Sequence, residues 1–407
     1  MAKPPIDQDV SMSLFHMALI LGLLSAVGPF AIDMYLPAMP ALAASLGVTE
    51  TAAQLTLTSY FVAFGLAQLV YGPWSDQSGR KRPLYAGLAI FIVGSTMAAL
   101  APTIGALVAA RAVQGIGGAV LMVVPRAVIR DSATGTDGTK MMAMVMLVIS
   151  VSPMLAPLAG SGLIQLGDWR LIFWVLCGAA VVALLITGFA LPETLAPAQR
   201  QKIHMGSLLA SAKVLLTDPV FMGLTFIGGF GMASFFVFIA SASFVYVDQF
   251  GLTPTGFSLA FAINAVGFFS ASQVAGPLGE RFGIVRLMRW GVMGFAGFAV
   301  ALLALVLAGF VSLPIIVAGL FLANACLGLV IPTTMVMALD AHGRIAGLAS
   351  SLGGTLQMVA GGVMIALTGL FFDGTALPMV AAIALCAVAA LVLALMTLGR
   401  VSRAQMV

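Results

Sequence analysis

The chain has 407 residues, of which 61% are hydrophobic and only 8% charged, with a net charge of +4. A soluble domain is about 25% charged, and a chain this long could not cover a water-facing surface with so few polar groups. Soluble enzymes, nucleic-acid binders and disordered chains are thereby excluded, and a polytopic membrane protein is left.

The apolar stretches are continuous rather than alternating, which argues against a β-barrel. A spanning helix needs about 20 mostly apolar residues. Runs of that kind occupy 14–37, 52–72, 84–102, 104–128, 141–165 and 171–191, and then 220–247, 256–279, 287–310, 313–338, 345–371 and 377–399. The first run lacks a small-residue cleavage site and leads into Pro37 and Pro40, so it reads as a span and not a signal peptide. The polar gap 192–218 reads as a linker with a possible amphipathic helix. The expected organisation is an all-α membrane protein of 12 transmembrane helices, with one six-helix bundle in 1–191, a cytoplasmic linker at 192–218 and a second bundle in 219–407.

Basic residues set the orientation. When alternate loops are assigned to opposite sides, sixteen of the 18 Lys and Arg fall on one side, Arg170 falls on the other, and Arg111 lies inside a run. The positive-inside rule then places both termini and the linker in the cytoplasm. The net charge fits loops facing anionic lipid, not nucleic acid. Cys177, Cys326 and Cys386 lie in apolar runs and read as free buried thiols, and the scattered histidines offer no metal spacing.

An internal repeat relates the halves. GPWSDQSGRKRPLYAG at 72–87 aligns with GPLGERFGIVRLMRWG at 276–291, matching Gly72, Pro73, Gly79, Arg82 and Gly87 at an offset of 204 residues. The pattern fits a parallel repeat about an axis along the membrane normal.

Asp33, in PFAIDMYLPAMP of the first run, is the most informative residue. A carboxylate at membrane depth costs about 3 kcal/mol on insertion scales, so it needs a cavity or a partner. It reads either as a proton-binding carboxyl or as an Asp capping a helix break between Pro29 and Pro37. Arg111, in RAVQGIGGAVLM of the fourth run, shares a face with Gln114, Gly115, Gly118 and Met122. It reads either as the charge partner that tunes Asp33 or as a structural arginine held by carbonyls. The GIGG stretch follows no strand, so it reads as close helix packing and not as a nucleotide loop.

In the loop at 72–84, Gly72, Asp76, Gly79, Arg80 and Lys81 read as a conformational gate, beside the plainer reading of positive-inside anchoring. Pro153, Pro157 and Gly160 lie on one face of the fifth run, where prolines kink a helix and small residues allow tight packing. The seventh run offers Phe235, Phe236, Phe238, Phe244 and Tyr246. Asn264, Asn324 and Gln357 are polar residues within runs that could bond across helices or to a ligand.

These segments resemble the major facilitator superfamily. Asp76, Gly79, Arg80 and Lys81 fall at key positions of its signature between spans two and three. RAVQG at 111–115 resembles its fourth-span motif, and SVSPMLAPLAGSG at 150–162 its antiporter motif, with Ala156 and Ser161 in place of glycines. IDMYLPAMP at 32–40, DWRLIFW at 168–174 and LPETL at 191–195 resemble the bicyclomycin- and chloramphenicol-resistance branch of drug:proton antiporters. The resemblance implies two six-helix bundles around a central cavity that alternates access by rocking. It also implies proton coupling at Asp33, tuned by Arg111.

The expected function is therefore proton-coupled efflux of a small amphiphilic, drug-like substrate across the bacterial inner membrane, by a monomer without cofactor or metal. The expected apolar cavity contacts are Phe30, Met34, Tyr35, Phe235 and Phe236, with Gln114 and Asn264 as polar neighbours. A proton-coupled importer of a small metabolite on the same fold is the alternative. No cluster of His, Asp or Cys suggests an integral-membrane enzyme, and no filter-like repeat suggests a channel.

Overall fold

The structure, a computed structural model, describes residues 14–133, 135–200, 205–340, 342 and 345–404. Among the described residues, twelve helical segments are long and apolar enough to cross a membrane. The first six are α1 (Leu14–Leu46), α2 (Glu50–Ser78), α3 (Lys81–Ala99), α4 (Ile104–Ser132), α5 (Lys140–Leu166) and α6 (Arg170–Phe189). The second six are α7 (Pro219–Gln249), α8 (Pro254–Phe282), α9 (Ile284–Leu307), α10 (Leu313–Asp340), α11 (Ala346–Gly369) and α12 (Ala376–Gly399). Each coincides with one of the twelve apolar runs. The linker carries a further helix, Met205–Thr217.

Side-chain caps begin several of these helices. Thr49, Thr103 and Thr253 accept hydrogen bonds from the amides of Ala52, Ala106 and Gly256, and Asp218 accepts from Val220 and Phe221. Such caps satisfy amide groups that would otherwise be orphaned at a helix start. The repeat extends to this level of detail. α2 and α8 each have 29 residues, each starts after a capping threonine, and each carries an internal proline, Pro73 and Pro277. Each ends at a glycine with positive φ, Gly79 at 91° and Gly283 at 85°. Every one of these pairs keeps the offset of 204 residues.

Three crossings are not continuous α-helix. α1 breaks after Asp33 into a 3-10 turn, Leu36–Ala38, and a short helix, Met39–Leu46. α4 is jointed at Ala119. α7 ends in a π-helical turn, Val245–Gln249. Prolines at 29 and 37 flank the break in α1 and remove amide donors there.

Small residues let the helices close on one another. A β-carbon at Gly115 would lie 2.5 Å from the carbonyl oxygen of Tyr60, so the GIGG stretch brings α4 onto α2 and α3 as the sequence suggests. Gly160 of α5 sits against the Met34 carbonyl in the same manner, at the break in α1. Large apolar side chains such as Leu23, Val70, Leu147, Leu185, Leu385 and Leu395 point outward and are exposed, as lipid contact requires.

The two groups of six helices meet firmly at one end of the molecule. Thr51 Oγ1 of α2 donates to Gly369 O of α11 at 2.7 Å, and Thr355 Oγ1 of α11 donates to Gly65 O of α2 at 2.7 Å. Ser258 Oγ of α8 donates to Pro157 O of α5 at 2.9 Å. Gln54 Nε2 of α2 donates to Ala240 O of α7 at 3.3 Å. The rings of Phe61 and Phe236 stack at 3.9 Å with 9° between planes. At the other end, which carries the basic loops, the groups part and leave a cavity. These two ends are called the sealed side and the basic side.

Candidate transport site

Three clusters carry polar chemistry in or at the ends of the spans. The first surrounds the break in α1. Asp33 ends the first helical stretch and is 4% exposed. Among the described residues its carboxyl makes no hydrogen bond and no ion pair, so it caps nothing at the break. Tyr60 of α2 is its electrostatic neighbour.

Arg111 is fully buried in α4. Its Nη1 donates to Ala31 O of α1 at 3.0 Å and to Gln114 Oε1 at 2.5 Å. Its guanidinium carbon lies 4.4 Å from the ring centre of Tyr60 and 5.0 Å from that of Tyr35. No ion pair to Asp33 forms. The guanidinium is held by a carbonyl two residues away from Asp33 and by aromatic faces, an arrangement suited to a planar, delocalised cation. Gln114 Nε2 in turn donates to Ser95 Oγ at 2.8 Å, which ties α3 to α4.

The second cluster lies on the basic side between α2 and α3. Arg80 is 1% exposed and forms a fork on Asp131 at the end of α4, Nε to Oδ2 at 2.6 Å and Nη2 to Oδ1 at 3.1 Å. Its Nη1 donates to Asp76 Oδ1 at 2.6 Å and to Ser75 Oγ at 2.8 Å. Burial works against the charge of Arg80, but the hydrogen bonds and charges of Asp131 and Asp76 outweigh it and hold its pKa above the ordinary arginine value. Glu193 completes the group. Its carboxylate accepts from the amides of Arg80 and Lys81 at 2.8 and 3.2 Å, a capping arrangement at the start of α3. Lys81 Nζ reaches Gly188 O of α6 at 3.1 Å.

Asp76, Gly79, Arg80 and Lys81 are thus brought together within the first six helices, while Gly72 faces Ser351 of α11. Asp76 meets Arg80 and, at 3.8 Å, Arg130, with no contact of this kind to the second six among the described residues. Sequence reasoning missed Asp131 and Glu193 as members. An acid following Arg130 in a basic loop, and the acid of LPETL, were the available signals.

The third cluster is a cavity of about 440 Å³ open on the basic side. It lies between α2, α4, α7, α10 and α11, with Gly72 and Asp76 at its edge. Met122, Met232, Met335 and Met358 give it soft apolar walls. Gln68, Arg126 and Gln357 are polar residues among them.

None of the seven residues expected to contact substrate lines this cavity. Phe30, Met34 and Tyr35 lie at the break in α1, where Tyr35 is hydrogen-bonded with Thr56 at 3.0 Å and packs on Phe173. Gln114 is committed to Arg111 and Ser95. Phe235 stacks on Phe268, and Phe236 on Phe61. Asn264 donates to Ala260 O and accepts from Asn324. In this structure Tyr35, Gln114, Phe235, Phe236 and Asn264 are each taken up by a protein partner rather than turned to the cavity. Arg126 is a further difference. The basic-loop count places it in a loop, whereas it lies within helix α4, which runs on to Ser132.

The antiporter-motif residues Pro153, Pro157 and Gly160 all lie in α5 and face two partners. Gly160 contacts α1 and Pro157 O contacts α8.

A profile of the Major Facilitator Superfamily matches residues 21–365. The chain belongs to that superfamily. It is 34% identical over 366 residues to the uncharacterized MFS-type transporter YdgK of Bacillus subtilis (strain 168), covering 89% of this chain and 90% of that protein. It is 28% identical over 378 residues to the bicyclomycin resistance protein homolog of Haemophilus influenzae, covering 92% and 94%. The structure of the Escherichia coli xylose transporter XylE in a partially occluded inward-open conformation superposes with a TM-score of 0.70 at 15% identity, over 93% of this chain and 96% of that one. That likeness shows the fold. The resemblance read from the motifs is borne out, and the chain is a multi-pass membrane transporter, not an enzyme.

Proposed function

We propose that this transporter exports small amphiphilic, drug-like molecules in exchange for protons, by alternating access between two bundles, 1–191 and 219–407, joined by the linker 192–218. The observation that carries the reading is Asp33, a buried carboxyl without a partner among the described residues, at a break in a membrane-crossing helix. Proton coupling needs a group whose charge can change between the two faces of the membrane, and a site whose shape can change with it. Asp33 supplies the first and the broken α1 the second. The similarity to a bicyclomycin resistance protein homolog supports an antibiotic-like substrate.

The basic side corresponds to the cytoplasm by the positive-inside rule, which puts both termini there and the protein in the bacterial inner membrane. The cavity then faces the cytoplasm, as loading of an exporter requires. Arg111 holds α1 to α4 beside Asp33 and keeps a fixed positive charge near it. The protein works as a monomer, since the route for substrate lies between its own two bundles.

The test is pH-driven uptake of candidate compounds into inside-out vesicles. Wild type should accumulate drug when the vesicle interior is acidic. Asp33→Asn, expressed to the same level, should lose accumulation against a gradient and keep downhill exchange, because a neutral amide retains the size of the acid without its proton. Undiminished uphill transport by this variant would sink the assignment. Uptake into right-side-out vesicles in symport with protons would favour an importer.

A further inference from the structure

Arg126 contributes to neither the coupling site nor the ion cluster at Arg80. It lies two turns before the end of α4, half-buried, with its guanidinium among the groups that line the cavity. Among the described residues its one hydrogen-bonding contact is Nη2 to the Met122 sulfur at 3.5 Å, a weak acceptor. No described carboxylate pairs with it. An arginine inside a membrane-crossing helix ordinarily has an acid or a set of carbonyls for company.

The rest of the lining deepens the imbalance. Asp76 is the acid of this cavity, at its rim, and it is already bound by Arg80 at 2.6 Å and approached by Arg130 at 3.8 Å. Deeper in, the side-chain amides of Gln68 and Gln357 make no hydrogen bond to the described protein, although Gln68 is 7% exposed. The cavity therefore presents, among the described residues, one cation without a carboxylate partner and two amides without a protein partner, inside methionine-rich, apolar walls. Sites with mostly apolar walls and a few convergent polar groups are the usual form of small-molecule sites.

We infer that this cavity selects amphiphiles bearing an anionic or strongly hydrogen-bond-accepting group, held on Arg126 with Gln68 and Gln357 as neutral partners, and disfavours lipophilic cations. The inference rests on the efflux reading and narrows its substrate class. A carboxylate or phosphonate would supply the counter-charge that α4 lacks, in the forked geometry for which guanidinium is suited. A quaternary ammonium would meet like charge with no free acid to balance it.

The experiment uses the purified full-length protein in detergent and three fluorescent probes on one aromatic body: dansylglycine, dansylglycinamide and a dansyl quaternary ammonium. Wild type should bind the carboxylate about tenfold more tightly than the neutral amide, the effect of one charge-assisted hydrogen bond, and the ammonium least. Arg126→Gln should bring carboxylate and amide to within about twofold. Arg126→Lys should keep the order with a smaller margin, and Gln357→Leu should weaken the carboxylate and the amide while keeping the order.

An ammonium that binds as well as the carboxylate, or a carboxylate preference that survives in Arg126→Gln, overturns the inference. The wild-type order is decisive by itself should Arg126→Gln not fold, and failure of all three probes to bind also overturns it. Transport assays on the same probes separate this from the efflux reading. Proton-driven export of the neutral probe without a carboxylate preference leaves efflux standing and removes the anion site. A carboxylate preference in binding with no export of any probe does the reverse.

Discussion

Replacing Phe236 with Ala should open the sealed side. Phe236 of α7 and Phe61 of α2 stack face to face at 3.9 Å, and both rings are buried, at 4% and 0% exposure. Gly361 of α11 packs directly against the Phe236 ring, so the ring fills space to which three helices contribute. Full burial of a Phe ring is worth about 1.5–3 kcal/mol, and an aromatic pair adds about 0.5–1.5 kcal/mol. Parting the bundles would wet roughly half of each ring, so the contact favours the closed seal by about 2–4.5 kcal/mol. Its loss should shift the ratio of sealed to opened molecules by at least about 30-fold.

The assay is a distance distribution between spin labels at Leu166, at the end of α5, and Phe371, just past α11, with Cys177, Cys326 and Cys386 replaced. The longer distance should gain population in Phe236→Ala and in Phe61→Ala. The double variant should fall short of the sum of the singles, since the two rings act through each other. A distribution identical to wild type in both single variants, in well-folded protein, would show that the stack does not hold the seal.

Four further outcomes follow from the geometry. Arg111→Lys keeps a charge and loses the fork and the aromatic contacts, so it should retain part of the transport rate in vesicles, while Arg111→Ala should alter its pH profile. Asp131→Asn removes one of two carboxylates from a buried guanidinium and should cost about 2–3 kcal/mol, read as a lower melting temperature in detergent; an unchanged melting temperature would count against the clamp. Asp76→Asn should cut maximal turnover more than substrate affinity, and an unchanged maximal rate would remove its role as gate. Gly160→Val would drive a side chain into the Met34 carbonyl and should cost about 1–3 kcal/mol or more, seen as loss of monodisperse protein, with Gly162→Ala, whose missing side chain faces open space, as the tolerated control.

The twelve crossings were legible because each is a long apolar run, and their side-to-side order because Lys and Arg are so unevenly placed. The repeat was legible because Gly79 and Gly283 serve backbone conformations that favour glycine, so both copies of the loop kept them. The partners of Arg80 were not legible. Asp131 and Glu193 lie 51 and 113 residues from it in the chain, and nothing local marks them as its ligands. The facing of α7 was also hidden, because that helix is apolar on every side and its period carries no direction. Phe235 and Phe236 read as cavity residues from the sequence; in this structure Phe235 stacks on Phe268 within the second six helices and Phe236 on Phe61 across the two groups. The isolation of Asp33 from Arg111 depends on where α1 breaks, and prolines in the sequence signal a break without giving its angle.

The ion cluster around Arg80 has a mechanical meaning beyond its charge. One guanidinium and its neighbours fasten the basic-side ends of α2, α3, α4 and the chain just past α6 into a single plate. On that side, among the described residues, nothing of the kind fastens α1 or α5. Those two helices lean on each other at Gly160, and α5 reaches the second bundle through Pro157 and Ser258. The break in α1 that carries Asp33 thus lies about one turn from the α5 carbonyl that α8 grips, and Arg111 ties that part of α1 to α4.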